Sequence, residues 1–390
     1  MRRLQSGPYC RKYNITRFLM SKKQITVSVI SDLVTDQRVI RICTTLQQMG
    51  FDVTVIARHL KNSLPLDNYA FKATRMHCYF TKGILQYAEF NLKLFWKLLF
   101  IKTDYYLAND LDTLVPNYAV SRWKKKYLFY DTHEYFTGVP ELSRSPFKRK
   151  VWKFFENWIF PKLKTVYTVN ESVKATYYTE YGNEISVIRN VPVSIAAKKM
   201  ELPAAWKDKI ILLMQGAGIN QGRGGLELLA AMKYLPDPYL LVFIGSGNQW
   251  NLIKEKRTAW QLENRVVMMD KMPPSQLRQY TSLAHIGCSF DSFEDLNCFY
   301  NLPNKIFDYI HAGIPLVATS IPEVKRVIEQ YECGVCISSS DPLLIAKTIE
   351  NMIENKPSYQ AFKVNCARAA KELCWEKEST KLIAIYQPFL

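Results

Sequence analysis

Residues Asn301–Pro315 read Asn-Leu-Pro-Asn-Lys-Ile-Phe-Asp-Tyr-Ile-His-Ala-Gly-Ile-Pro, a pattern that predicts a helix followed by a buried strand. Pro303 suits the first helical turn, where its missing N–H would be unpaired anyway. Gly313 closes the helix, and the apolar run at 314–320 is typical of a strand buried on both faces. Because a helix that leads directly into a buried strand is the repeating unit of a parallel sheet, this stretch indicates an α/β fold.

The same alternation of strand and helix extends over most of the chain in both directions. It predicts two doubly wound Rossmann-like domains that face each other across a cleft, with ligands at the carboxyl ends of the strands. The chain has 390 residues, enough for two full cores. The last helices are expected over about 359–378 and 380–388. The predicted segments are a basic extension without regular structure at 1–23, a first domain at 24–195, a second domain at 196–374 and a final helix at 375–390.

The predicted helix at 303–311 carries the groups expected at a phosphate site. Asn304, Lys305 and Asp308 are spaced to lie on one face. A helix N-terminus binds anions, and Lys305 adds a positive charge to it. Asp308, one turn deeper, can accept hydrogen bonds from vicinal hydroxyls such as those of a ribose. The pattern therefore predicts a nucleoside diphosphate site.

A glycine-rich loop, Gln215–Gly225, follows the first predicted strand of the second domain. Gly216 and Gly218 suit close approach of backbone N–H groups to phosphate. A dinucleotide fingerprint fits less well, because the third glycine falls at Gly222 and no acidic residue ends the next strand. We therefore predict no nicotinamide or flavin cofactor.

The segment at 301–315 resembles the donor-binding helix of retaining GT-B glycosyltransferases, in particular the bacterial family 4 (group 1) type. Asp308 stands where that family has a Glu, and Tyr300 stands where it has a second Glu. The resemblance implies that Arg223 binds the donor diphosphate, and that Lys305 takes the place of an Arg missing near Ala217. It also implies a retaining, metal-independent transfer of a hexosyl group, and a last helix that returns to the first domain.

Further matches in the second half are loops at strand ends. Gly245 and Gly247 match the family's glycine turn beside the nucleotide, and Met272 lies where backbone groups usually meet the base. Each of these loops is equally compatible with a plain turn. Asp291, Glu294 and Asp295 lack the Asp-x-Asp spacing of metal-dependent transferases, so no metal site is predicted.

The first half contributes the sequence Asp131-Thr-His-Glu after a short strand. His133 resembles the histidine that meets the donor sugar in these transferases, and as a neutral imidazole it could bond a hydroxyl or move a proton. His133 and Asp308 are thus the catalytic candidates, while Asp36, Arg38 and Glu134 are expected on the acceptor side. Simpler roles stay open, since Asp36 can cap a helix and Arg38 can be a surface cation.

Positive charge is concentrated in the first half of the chain. Residues 1–195 hold 30 Lys and Arg against 15 Asp and Glu, a net charge of +15, whereas the whole chain carries +17. The tract Arg144–Lys164 interleaves basic and aromatic residues, as expected of a helix on an anionic bilayer. A core helix with a solvated basic face explains the tract equally well, and no nucleic-acid-binding module is recognisable.

The cellular compartment is predicted from three patterns that the sequence lacks: a disulfide framework, a signal segment and a membrane-spanning run. Nine cysteines, an odd and scattered set, argue against a disulfide framework. The first twenty residues have no apolar signal segment, and no apolar run approaches the roughly 20 residues that span a bilayer. We expect a cytoplasmic protein, held peripherally at the inner face of the plasma membrane.

The sequence therefore predicts transfer of a sugar from a nucleotide-sugar donor to a glycan or lipid-linked acceptor, as in surface polysaccharide biosynthesis. Two alternatives stay open at this stage. A nucleotide-sugar epimerase of the same fold would turn over the donor without an acceptor. A non-catalytic nucleotide-sugar-binding protein would bind the donor without transfer or hydrolysis.

Overall fold

The computed structural model describes residues 22–390 except 62, 67, 140–141, 143–144, 196–199 and 295. Residues 1–21 of the predicted extension at 1–23 lie outside the described part of the chain. Arg144 and Asp295 lie outside it as well. Within the described part of the chain, no helix is both long and apolar enough to cross a bilayer.

The N-terminal domain is built on a seven-stranded parallel sheet in the order β3-β2-β1-β4-β5-β6-β7. Its strands are β1 (Gln24–Ser28), β2 (Asp52–His59), β3 (Lys72–His77), β4 (Tyr105–Asn109), β5 (Tyr127–Thr132), β6 (Thr165–Thr168) and β7 (Ser186–Val187). Its helices are α1 (Gln37–Met49), α2 (Gly83–Phe100), α3 (Leu111–Trp123), α4 (Pro146–Ile159) and α5 (Glu171–Tyr181).

The C-terminal domain is built on a six-stranded parallel sheet in the order β10-β9-β8-β11-β12-β13. Its strands are β8 (Ile210–Gly216), β9 (Tyr239–Gly245), β10 (Val266–Asp270), β11 (Ile286–Ser289), β12 (Leu316–Thr319) and β13 (Gly334–Ile337). Its first helices are α6 (Gly225–Ala231), α7 (Trp250–Ala259), α8 (Pro274–Thr281), α9 (Leu296–Phe299) and α10 (Asn304–Ala312). The later helices are α11 (Pro322–Tyr331), α12 (Pro342–Glu354), α13 (Lys356–Glu372) and α14 (Trp375–Tyr386).

The final helix α14 packs on the N-terminal domain, as predicted. It lies against α1. Tyr386 is fully buried there: its hydroxyl is 3.1 Å from that of Tyr167, and its ring stacks on Phe129 with centroids 4.3 Å apart. The Trp375 indole N–H donates to the Thr45 hydroxyl at 3.0 Å. Aromatic burial of this kind anchors the chain end to the domain where the chain began.

Helices α3 and α9 and strand β3 were not predicted from the sequence, and the break between the last two helices was placed wrongly. The edge strand β3 was not predicted, because Lys72–His77 lacks the apolar alternation of a strand and five of its six residues are at least partly exposed. The last helices were predicted to break near residue 379, but the break lies at Leu373 and Cys374. Both leave the helical φ/ψ region, and Leu373 is buried in the core that continues into α14. The domain boundaries given above stay predictions.

Candidate active site between the domains

A cavity of about 380 Å³ lies between the carboxyl ends of the two sheets. The N-terminal domain contributes His133 and Asn190 to its lining. Five of the predicted donor-binding residues line the opposite side: Gly216, Gly218, Arg223, Asn304 and Lys305. Doubly wound sheets place ligands at this position, so the fold brings together the loop and the helix that the sequence singled out separately.

Glycines in this region serve two different purposes. A Cβ on Gly245 would overlap the carbonyl oxygen of Gly216, and one on Gly247 would overlap that of Ile219. These two glycines are therefore required where the loops after β8 and β9 touch, and neither lines the cavity. A Cβ on Gly218 would meet nothing closer than the Asn220 amide, at 3.7 Å. The backbone at Gly218 is thus open to an incoming group.

The cations of the cavity are held differently from each other. Arg223 donates to Asp291 at 3.0 Å, and Asp291 is buried at 1% exposure and also accepts from Asn301 at 3.3 Å. Lys305 makes no hydrogen bond or ion pair with any residue that the structure describes. Burial lowers the pKa of Lys305, and Arg223 lowers it further while Asp291 raises it. An ammonium without a partner beside a helix N-terminus is suited to bind an anion.

Asp308 lies behind the cavity wall rather than in it. Its carboxylate accepts a hydrogen bond from the Gln215 amide at 2.9 Å, and Gln215 in turn accepts from the Thr281 hydroxyl at 2.7 Å. Burial raises the pKa of Asp308 to about 6, although Gln215, Arg278 and Arg41 each lower it. The group predicted to accept ribose hydroxyls is therefore held in place, and its charge changes in a range that ordinary buffers reach.

The N-terminal wall is a network of buried charges. Arg38, at 2% exposure, binds Asp131 through Nε at 2.9 Å and Nη2 at 2.7 Å, and its Nη1 donates to the Ile188 carbonyl at 2.6 Å. This pair joins α1 to β5 and to the end of β7. The surface position considered for Arg38 is wrong, because its side chain is buried and its donors are bonded inside the fold. The acceptor-side role stays a prediction.

His133 is clamped between two carboxylates. Its Nε2 lies 3.2 Å from Asp131 and its Nδ1 lies 3.2 Å from Asp110, which also accepts the His133 backbone N–H at 2.7 Å. Burial lowers the pKa of His133, but Asp110 and Asp131 together raise it to about 10. Both ring nitrogens of His133 are therefore directed to carboxylates, which favours the charged ring over the neutral imidazole considered from the sequence.

Three other predicted site residues do not line the cavity. Asp36 caps α1 by accepting the Val39 N–H at 3.1 Å, which is the simpler role considered for it. Glu134 accepts from the Asn297 amide at 2.8 Å and so links the two domains. Met272 packs against the core after β10.

Some site residues were missed because their roles depend on tertiary packing. Asp110 and Asp131 both stand at strand ends, which was the available signal, yet nothing local shows that they flank one imidazole. Arg41 was missed entirely, although it donates a hydrogen bond to Asn190 of the cavity wall. Burial lowers the pKa of Arg41 to about 10, even though the nearby Asp308 acts to raise it. Across the described residues, no three His, Cys, Asp or Glu side chains are placed to hold a metal ion.

Residues 203–369 match the family described as "Glycosyl transferases group 1". The match covers the C-terminal wall of the cavity, from β8 to most of α13. No curated protein sequence gives a significant match to the chain.

Solved structures match over nearly the whole chain. Sucrose-phosphate synthase from Thermosynechococcus elongatus is 14% identical with a TM-score of 0.78, over 94% of this chain and 99% of that one. Anabaena Alr3699/HepE in complex with UDP-glucose is 15% identical with a TM-score of 0.73, over 94% and 100%. A protein of Listeria monocytogenes described as a candidate UDP-N-acetylglucosamine 2-epimerase is 13% identical with a TM-score of 0.67, over 95% and 97%.

These similarities, with the two facing parallel sheets and the cavity between them, define the class of the fold as GT-B. Within that class, residues 203–369 are a domain similar to group 1 glycosyl transferases. At identities this low, the structural matches establish the fold alone.

Proposed function

We propose that the protein is a glycosyltransferase that moves a hexosyl group from a nucleotide-sugar donor to a glycan or lipid-linked acceptor. The observation that carries the proposal is the ammonium of Lys305 at the start of α10, which has no partner among the described residues and lines the same cavity as the open backbone at Gly218. The group 1 domain match over this same wall supports it.

The chemistry of the proposed reaction explains why cations collect here. A departing nucleoside diphosphate develops negative charge as the glycosidic bond breaks. Arg223, Lys305 and the N-terminus of α10 would stabilise that charge, and a single well-placed donor in a dry site is worth about 3 kcal/mol. His133 lines the other wall of the same cavity, where its ring would contact the donor sugar. Such a site needs no metal ion to neutralise the phosphates.

Other parts of the proposal rest on the family resemblance. Retention of anomeric configuration and a role in surface polysaccharide biosynthesis are proposed on that basis, as is a cytoplasmic location at the inner face of the plasma membrane. UDP-sugars are the first donors to test, because the Anabaena structure of the same fold contains UDP-glucose.

The decisive experiment is a thermal-shift screen of the full chain against nucleoside diphosphates and nucleotide sugars, since a bound ligand stabilises by mass action. We expect one nucleotide to raise the Tm, and the matching sugar nucleotide to be consumed only when an acceptor is added. Consumption to an epimerised donor without acceptor would show the epimerase instead. Binding without any turnover would show a non-catalytic protein, and no shift with any nucleotide would contradict the proposal.

A further inference from the structure

Helix α2 is apolar on its outer side as well as on its inner side. Phe90, Leu94 and Leu98 are fully buried against the sheet. The opposite side repeats at every fourth position and is exposed: Ile84, Ala88, Leu92, Trp96 and Phe100. A helix that is apolar all round is ordinarily covered on all sides. The outer stripe of α2 therefore lacks the cover that its composition predicts.

Helix α4 shows a second stripe of the same kind. Its exposed apolar side chains stand at helical spacing: Phe147, Val151, Phe154 and Trp158. The exposure is large, reaching 70% for Phe147 on α4 and 78% for Phe100 on α2. We call the two stripes together the apolar face.

The two helices are neighbours on one side of the N-terminal sheet. The Tyr87 ring of α2 packs edge-on against the Trp152 ring of α4, with centroids 5.3 Å apart. Helix α3 packs against both, and its terminal Trp123 is 68% exposed. The stripes thus belong to one surface, larger than the isolated apolar residues that proteins ordinarily expose.

A rigid turn extends the face at the start of α2. Glu89 accepts the backbone N–H groups of Tyr79 and Phe80, each at 2.9 Å, and Arg58 donates to the Phe80 carbonyl at 2.8 Å. Tyr79 is nevertheless 89% exposed and Phe80 47%. Hydrogen bonds therefore hold the backbone of Tyr79 and Phe80 in place, while both side chains are exposed to solvent.

Among the described residues, the exposed charged side chains on α2, α3 and α4 are all positive. Exposed cations border it: Lys82, Lys102, Arg122, Lys125, Lys148, Lys150 and Lys162. The carboxylates of α2, α3 and α4 are turned inward or already bonded, since Asp112 and Glu156 are buried and Glu89 binds backbone and Lys93. A second copy of the same face would meet this one with like charge, whereas an anionic bilayer offers both apolar cover and opposite charge.

We propose that the apolar face docks into the surface of an anionic lipid bilayer. Its aromatic and aliphatic side chains enter the headgroup region, to a depth of about 5–10 Å for interfacial helices, while the lysines contact lipid phosphates. The sequence tract implied that Lys153 takes part, but Lys153 is occupied by Glu156 and Glu180, and despite burial these carboxylates raise its pKa. On α4, the lysines that contact lipid phosphates are instead Lys148 and Lys150.

The orientation that follows connects the face to the cavity. A helix that follows a parallel strand runs back along the sheet, so α2 and α4 begin at the edge where the strands end and the cavity lies. With the face on the bilayer, the cavity rim sits next to the lipid headgroups. This last step rests on the proposed function, because it matters only if the acceptor is lipid-linked.

The test is co-sedimentation of the full chain with phosphatidylcholine vesicles, with or without phosphatidylglycerol. We expect tight binding to the anionic vesicles and much weaker binding to phosphatidylcholine alone. Added salt should weaken binding without abolishing it, since apolar contact is not screened. The triple variant Leu92→Gln, Trp96→Gln, Phe100→Gln should lower vesicle affinity by about tenfold or more, and the pair Lys148→Glu, Lys150→Glu by a similar factor.

Matched controls come from the C-terminal domain. Val364→Gln removes an equally exposed apolar side chain, 69% exposed on α13, and Lys254→Glu reverses an exposed lysine on α7. Both should bind vesicles as the wild type does, and all variants should keep the wild-type Tm and nucleotide affinity.

Equal vesicle binding by the triple variant and the wild type would overturn the proposal. So would a wild-type dimer that the triple variant dissociates, because a second copy would then be the cover. Nucleotide binding is measured separately, so a protein that binds vesicles but no nucleotide would remove the proposed function and leave the bilayer contact standing.

Discussion

The two walls of the cavity use charge in opposite ways. On the N-terminal wall, Arg38, Asp131, His133 and Asp110 are bonded to one another inside the fold. On the C-terminal wall, Lys305 is kept without a partner among the described residues, and the backbone at Gly218 is open. The bonded network holds the side chains of the N-terminal wall in place before any ligand binds. On the C-terminal wall, Lys305 and the backbone at Gly218 are left to bond a ligand. Substitutions on the two walls should therefore separate into effects on stability and effects on binding.

The largest effect should come from the buried pair on the N-terminal wall. Arg38→Met should lower the free energy of unfolding by about 3–5 kcal/mol, because it leaves the Asp131 carboxylate buried without its main partner. Denaturant titration measures this directly. Lys72→Met, which removes an exposed partner of Asp52 on the same sheet, should change little. Similar losses for the two variants would mean that the buried network does not stabilise the wall.

His133 tests whether the fixed wall also takes part in chemistry. His133→Ala should cut turnover about a hundredfold if its ring acts on the donor at the transition state, while nucleotide affinity changes little. His77→Ala, an exposed histidine on β3, is the matched control. A near-normal rate would leave His133 with a structural role only.

The charge of His133 also predicts a pH dependence. Because the folded-state pKa is raised to about 10, its contribution to stability is fully present below the unfolded pKa of about 6.5 and is lost as the pH rises through 10. The difference in unfolding free energy between wild type and His133→Gln should shrink over that range. A constant difference would contradict the imidazolium.

On the C-terminal wall, Lys305 should respond in binding rather than stability. Lys305→Ala and Arg223→Ala should each weaken nucleoside diphosphate binding by about 1.5–3 kcal/mol, and calorimetric titration measures both. Lys305→Ala should not lower the Tm, since it removes a desolvated cation without a bonded partner in the described chain. Lys325→Ala on α11 is the control. Unchanged affinity in both site variants would remove the phosphate assignment.

The smallest effect concerns Asp308. If its carboxylate accepts the ribose hydroxyls, a ribonucleotide should bind more tightly than its 2′-deoxy counterpart by about 1 kcal/mol at pH 7.5. With a folded-state pKa of about 6, this preference should fade as the pH drops below 6 and the group is protonated. Asp308→Asn should reduce the preference and remove its pH dependence. A preference that is independent of pH in the wild type would place the ribose elsewhere.

The sequence predicted local structure better than it predicted contacts. The helix at 303–311 was found at Asn304–Ala312, because Pro303 and Gly313 are capping signals within one turn of its ends. The edge strand β3 was missed because its stability comes from pairing with β2 rather than from its own composition. The site followed the same rule: Lys305 was recognisable from its helix, whereas Gln215 bonding Asp308 depends on how β8 and α10 pack.

Helix α14 also has a consequence for the order in which the chain can fold. The N-terminal sheet is synthesised first, and domains ordinarily fold in that order. Here, however, Phe129 and Tyr167 are covered by Tyr386, and Phe389 packs on Tyr105, so part of the first core is supplied by residues that follow the whole second domain. The first core is completed only after these residues have been synthesised, and a nascent chain exposes its rings until then.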